Sequence, residues 1–110
     1  MNMNDILRKK IECYVSVSKR GLESRKLLIK NCKIEKVRDV LMKYGDILEE
    51  DLKDGIYVSS MKSGVGNMNR TIIATHIDKE NVYIVAFARE GLINQHTSCK
   101  AVSKIVGDLK

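Results

Sequence analysis

VYIVAFAR, residues Val82–Arg89, is the stretch of sequence that decides the fold. Its alternating positions form two sets that are both apolar: Val82, Ile84, Ala86 and Ala88 on one side, Tyr83, Val85 and Phe87 on the other. An antiparallel strand with one solvated face would alternate apolar with polar residues. The pattern therefore predicts a strand within a sheet that is covered on both faces.

Two further strands are predicted before this one. Arg70–Ile77 (RTIIATHI) is rich in Ile and Thr. Ile56–Lys62 (IYVSSMK) has an alternating pattern and is bounded by Gly55 and Gly64. The polar segment Asp78–Asn81 (DKEN) has the length of a hairpin turn between antiparallel strands. We therefore expect a three-stranded antiparallel meander in the second half of the chain.

The first half of the sequence indicates helices. Asn4 and Asp5 are good helix-start residues, and apolar residues at helical spacing predict a helix from Asp5 to about Ser18. The alternation over Cys13–Lys19 leaves a rival interpretation, in which this segment is a strand that pairs with Arg25–Asn31. Residues 12–31 therefore stay open between a helix and a pair of strands.

Two more helices are predicted with clearer signals. Residues 34–44 keep one apolar helical face, and Gly45 supplies a stop signal, after which the acidic segment continues as a last turn or a short second helix. Thr97 or Ser98 can cap a C-terminal helix with an apolar face that packs on the sheet. The expected fold is thus α+β in a single domain, residues 1–110, with a helical N-terminal half, the meander and the C-terminal helix.

Composition and charge limit the class of protein. The chain has 110 residues, a net charge of +6 and three widely spaced cysteines, Cys13, Cys32 and Cys99. An odd number of cysteines without a CxxC pair predicts reduced thiols in the cytoplasm. The N-terminal segment is too charged for a signal peptide, and no apolar run is long enough to span a membrane. We expect no membrane association, metal or cofactor.

No motif in the sequence indicates an enzyme. His96 and Cys99 are three residues apart, but a nucleophile and its base also need a third group that orients the base, and none is marked. The acidic run LEEDLKD lacks the alternating acids and central glycine of a calcium loop, so it is interpreted as a solvated face. His76 is interpreted as a structural residue of its strand.

The glycine stretch SSMKSGVGNMNR, Ser59–Arg70, first suggests a phosphate-binding loop. Such a loop precedes a helix, whereas Gly64 and Gly66 are followed by a β-branched strand. The stretch is therefore predicted to be a hairpin connection. Its flanking cations, Lys62 and Arg70, leave open a contact of residues 63–69 with backbone phosphates.

Two surfaces are candidates for function. The basic N-terminal region and the hairpin cations form a possible nucleic-acid or anion contact, which comprises Lys9, Lys10, Lys19, Arg20, Arg25, Lys26, Lys62 and Arg70. The second apolar face of the last strand, Tyr83, Val85 and Phe87, is a candidate for self-association.

Three functions follow as hypotheses. The first is a non-enzymatic binding or regulatory module that acts through protein–protein contacts as a homodimer. The alternative is a nucleic-acid-associated protein that uses the basic region. A small-ligand-binding domain is the third, with its pocket between the sheet and the C-terminal helix.

Overall fold

The computed structural model describes residues 2–30, 32–63, 69–89 and 96–110. Within these ranges the chain forms three helices and one five-stranded sheet. The elements in chain order are α1 (Met3–Glu12), β1 (Leu22–Leu28), α2 (Ile34–Tyr44), β2 (Gly45–Asp51), β3 (Ile56–Ser63), β4 (Asn69–Asp78), β5 (Asn81–Ala88) and α3 (Thr97–Leu109). The described part of the chain has no helix that is long and apolar enough to cross a membrane.

The sheet is antiparallel throughout, with the strand order β1-β5-β4-β3-β2. The predicted meander is present as β3, β4 and β5 in its centre, and Asp78 pairs with Asn81 across the predicted turn. The α+β class is thus confirmed. The prediction of three strands is wrong, because β1 and β2 extend the meander at its two edges.

Helices cover both faces of the sheet. On one face, here named the α1 face, Leu7 and Ile11 pack on Val58, Val85 and Phe87. On the opposite face, named the α2–α3 face, helices α2 and α3 cover a larger core. Its buried residues are Val37, Val40, Leu41, Tyr57, Met61, Ile73, Val82, Ile84, Ala86, Ala101, Val102, Ile105, Val106 and Leu109. The two apolar sides of VYIVAFAR are therefore both buried within one chain.

Residues 12–30, the described part of the segment that the sequence left open, are neither one helix nor a pair of strands with each other. Helix α1 ends at Glu12, and Val15 and Val17 then pack in an irregular segment against the α1-face core. Gly21 has φ +88, a left-handed conformation that suits glycine, and its carbonyl accepts a hydrogen bond from Ala88 N–H at 3.1 Å. This bond starts β1, which pairs with β5 rather than with residues 13–19.

The acidic segment is a strand and not a continuation of α2. Helix α2 covers the predicted residues 34–44, and Gly45 then pairs with Met61 as the first residue of β2. A Cβ on Gly45 would lie 1.9 Å from the Ser60 carbonyl oxygen, so the close approach of β2 to β3 needs glycine here. The predicted helical first half is therefore wrong at both β1 and β2.

Candidate functional site

Cations from separate parts of the chain meet at one end of the sheet. Lys62 of β3 pairs directly with Arg70 of β4. Thr71 pairs with Ala88 of β5, so one further step along both strands places Arg89 beside Arg70. Arg20 precedes Gly21, whose carbonyl accepts a hydrogen bond from Ala88 N–H, and lies in the turn that the bond from Leu22 N–H to the Lys19 carbonyl closes before β1. Three adjacent strands thus present a row of three cations, Lys62, Arg70 and Arg89, and the turn before β1 adds Arg20.

We name this surface the cationic end and define it as Lys19, Arg20, Lys62, Arg70 and Arg89. All five residues are exposed. Lys62, Arg70 and Arg89 lie on the α1 face, because they alternate in step with Val58, Ile72 and Phe87 of the core there.

Contacts inside the described part of the chain leave the charges of Lys62 and Arg89 available. Arg70 Nη1 donates a hydrogen bond to Ser60 Oγ, which holds the guanidinium against the sheet. In the ranges that the structure describes, Lys62 and Arg89 form no ion pair. Asp46 of β2 is the acidic neighbour on the α1 face, where it lies opposite Ser60. The local charge is therefore positive, with Asp46 as a partial counterweight.

Two depressions flank the cationic end. One, of about 420 Å³, is bounded by Arg89, Phe87 and the segment from Val15 to Ser18. The other, of about 240 Å³, has Lys19 and Arg20 on one side and the first turn of α3 on the other. Arg89 lines the first and suits it to anionic groups, whereas in the second the carboxylate of Glu23 opposes the charges of Lys19 and Arg20.

The remaining predicted cations do not join this surface. Lys26 places its ammonium 5.3 Å from the ring centroid of Tyr83, and Arg25 lies on the α2–α3 face of β1. Lys9 and Lys10 are on α1, and Lys10 Nζ donates to Glu49 Oε2 at 2.7 Å. Four of the eight predicted cations, Lys19, Arg20, Lys62 and Arg70, are therefore brought together.

Ion pairs compensate the acidic strand β2. Lys10 and, more weakly, the Tyr14 hydroxyl donate to Glu49 and lower the pKa of its carboxyl, although partial desolvation opposes the shift. Arg38 Nε binds Glu50 Oε1 at 2.6 Å. The acidic segment thus anchors α1 and α2 to the sheet edge, and its Glu49 and Glu50 have structural partners.

The proposed self-association residues lie beneath α1. Val85 and Phe87 are 2% and 3% exposed, and Tyr83 is partly buried at the margin of the same core. A second molecule would reach Val85 and Phe87 only if α1 moved away.

The candidate catalytic residues are placed at the start of α3. His96 has φ 53 and precedes the helix, and Cys99 is half-buried in its first turn beside the depression that Lys19 and Arg20 line. His76 lies in β4 on the predicted face, 5.8 Å from the ring of Tyr83. The described residues contain no group of three His, Cys, Asp or Glu side chains placed to hold a metal ion.

The glycine stretch is bracketed by paired strands, since Ser63 is opposite Asn69. This pairing agrees with the predicted hairpin connection, while residues 64–68 themselves lie outside the described part of the chain.

Arg89 was missed by the sequence reasoning. The only signal in the sequence was that Arg89 is a cation directly after the strand residues of VYIVAFA; its place beside Arg70 depends on the pairing of β4 with β5. No protein-family model, curated protein or solved structure matches the chain.

Proposed function

We propose that this chain is a small, cytoplasmic, non-enzymatic module that binds the phosphate backbone of a double-stranded nucleic acid through the cationic end. The observation that carries the proposal is the row of Arg89, Arg70 and Lys62 at the ends of three adjacent strands, with Arg20 in the turn before β1. These residues are far apart in sequence, and the strand pairing alone brings them together.

The spacing of the row suits a chain of phosphates. Neighbouring strands are about 4.8 Å apart, so three positions span about 10 Å, and the turn that holds Arg20 extends the basic surface further. One strand of a duplex carries a phosphate every ~3.4 Å along the axis, and Arg and Lys are the usual ligands of those phosphates. The row is therefore long enough to meet several phosphates at once.

The chemistry of the surface favours a duplex over a single strand. Proteins that hold single strands stack bases on exposed aromatic rings. None of the five residues of the cationic end is aromatic, and the nearby Phe87 is buried under α1. Contacts to phosphates without contacts to bases predict binding that is strong at low salt and indifferent to sequence.

Fluorescence anisotropy with a labelled DNA duplex at low salt tests this proposal. The variant Lys62→Glu/Arg89→Glu reverses two charges in the row and is expected to raise the Kd at least about tenfold. The matched control, Lys53→Glu/Lys104→Glu, changes the net charge equally at exposed positions outside the row.

The control variant is expected to bind within about threefold of the original protein. Equal losses in both variants would show that only the total charge matters and would contradict the assignment to the cationic end. No binding of the original protein to duplex DNA or RNA at low salt would overturn the proposed function.

A module that acts through protein contacts as a homodimer is our second proposal. Its support is the exposed edge of β1, where the sheet ends without a further strand among the described residues. Sedimentation velocity at micromolar concentration measures whether the chain associates. A pocket for a small ligand, proposed beside the first turn of α3, is tested by thermal-shift screening against nucleotides and metabolites.

A further inference from the structure

We infer that strand β1 is a self-pairing edge, at which two copies of the chain join their sheets about a two-fold axis through Ser24. The pairing would produce a continuous ten-stranded antiparallel sheet. This inference rests on the second proposed function, the homodimer, and not on nucleic-acid binding, since it uses the backbone of β1 and two side chains, Glu23 and Arg25, that are not among the five residues of the cationic end.

The backbone of β1 has a defined set of unused groups. Ala88 N–H donates to Gly21 C=O at 3.1 Å, and Ile29 N–H donates to Glu80 C=O at 2.8 Å. Hydrogen-bonded pairs recur at every second residue of an antiparallel ladder. The odd-numbered residues of β1 therefore bond to β5, and the even-numbered ones direct N–H and C=O away from it.

Those outward groups belong to Leu22, Ser24, Lys26 and Leu28. The Leu22 N–H already donates to the Lys19 carbonyl at 3.2 Å, so Leu22 offers only its C=O at this edge. Ser24, Lys26 and Leu28 offer both N–H and C=O. Ser24, Lys26 and Leu28 are exposed. Lys26 turns its ammonium over the Tyr83 ring of the neighbouring strand, so it does not guard the edge as an outward lysine would.

The side chains select one register for a second copy. In a hydrogen-bonded pair, an outward-directed residue of one copy must lie opposite an outward-directed residue of the other. Most of β1 overlaps with β1 of the second copy only if the two-fold axis passes through Ser24, Arg25 or Lys26. An axis through Arg25 or Lys26 would set like charges directly opposite. An axis through Ser24 instead sets Glu23 opposite Arg25 of the second copy, and does so twice.

Glu23 and Arg25 are suited to this role. Both lie on the α2–α3 face of β1 and are partly exposed. Across the described ranges, neither forms an ion pair within its own chain. They would fall at non-hydrogen-bonded positions, where side chains of facing strands approach most closely.

The other edge of the sheet is built differently. β2 has a β-bulge between Ile47 and Glu49, and its strand carries Asp46, Glu49, Glu50 and Asp51. A bulge and a row of like charges are the features that prevent strands from pairing edge to edge. In β1 the register has no such irregularity. The occupant that fits β1 is therefore a second copy of β1.

Sedimentation velocity over a series from micromolar to submillimolar concentration tests the inference. The original protein is expected to show a monomer–dimer equilibrium. Glu23→Arg alone and Arg25→Glu alone each set like charges opposite, twice, and are expected to raise the dimer Kd by about tenfold or more. The double variant Glu23→Arg/Arg25→Glu restores both pairs and is expected to dimerise like the original protein.

The control is Glu80→Arg, in the turn before β5, which is expected to leave the dimer Kd unchanged. A monomer at every concentration would overturn the inference, as would single variants that dimerise normally or a double variant that stays as weak as the single ones. If circular dichroism shows that a single variant is unfolded, Ser24→Pro replaces it as the test of the dimer. This substitution removes an N–H that points away from β5, so it should abolish the dimer.

Discussion

At the residue scale, glycine has two opposite roles in this chain. Gly45 lies where β2 meets β3, and a Cβ there would lie 1.9 Å from the Ser60 carbonyl oxygen. Gly107 is an exposed residue of α3, and nothing lies within 4 Å of a Cβ added to it. The same substitution should therefore have opposite effects at the two positions.

Gly45→Ala is expected to lower the free energy of unfolding by about 2 kcal/mol or more, because backbone must shift to admit the methyl group. Gly107→Ala is expected to raise it by about 0.5–1 kcal/mol, because alanine is the better helix former. Urea unfolding of both variants measures the difference. Equal stability of Gly45→Ala and the original protein would contradict the close approach of β2 to β3.

The residues of the cationic end show what sequence reasoning can and cannot reach. The sequence identifies Lys62 and Arg70 as cations that flank a hairpin, since both lie beside one turn. It does not show that Arg89 continues their row or that the turn with Arg20 adjoins it, because that depends on the pairing of β5 with β4 and of β1 with β5. The sequence shows which residues are cations, whereas their proximity in the fold follows only from the register of the strands.

At the element scale, α1 is tied to the edge strand β2 by Lys10, Glu49 and Tyr14. Hydrogen bonding to Glu49 lowers the pKa of the Glu49 carboxyl and raises the pKa of the Lys10 ammonium. The contribution of Glu49 is therefore present above its unfolded pKa and is lost as pH falls through its folded pKa. That of Lys10 is present below its unfolded pKa and is lost as pH rises through its folded pKa.

Glu49→Gln is accordingly expected to destabilise the protein at neutral pH and to have no effect in strong acid. The loss should stay below about 1 kcal/mol, because the Lys10 and Glu49 side chains are 33% and 30% exposed and water screens their pairing. Urea unfolding midpoints at neutral and acidic pH measure it, with the exposed Glu80→Gln as the control. A loss that persists unchanged in acid would contradict the role of this ion pair.

The elements also differ in how well sequence predicts them. Helix α2 and strands β3 to β5 were predictable because each buries a long, regular apolar pattern. β1 and β2 were not, since LESRKLL and GDILEED are edge strands with solvated residues at alternate positions. β1 is a strand because it pairs with β5, which is distant in sequence, and β2 is a strand because it pairs with β3.

At the scale of the whole molecule, the acidic and basic residues are unevenly distributed over the sheet. The acidic strand β2 is compensated in part by Lys10 and Arg38, which bind Glu49 and Glu50. The cationic end gathers five basic residues at the end of the sheet where β3 and β5 finish and β4 begins. This separation of acidic and basic surfaces is what the net charge of +6 alone does not reveal.

The most direct test of the account is the salt dependence of binding to a DNA duplex. If the five cations of the cationic end neutralise phosphates, the plot of log K against log salt concentration should have a slope of about −3 to −5. Lys62→Glu/Arg89→Glu should make that slope shallower by about 2, while Lys53→Glu/Lys104→Glu leaves it unchanged. A slope near zero, or one that the row variant does not alter, would contradict the central claim.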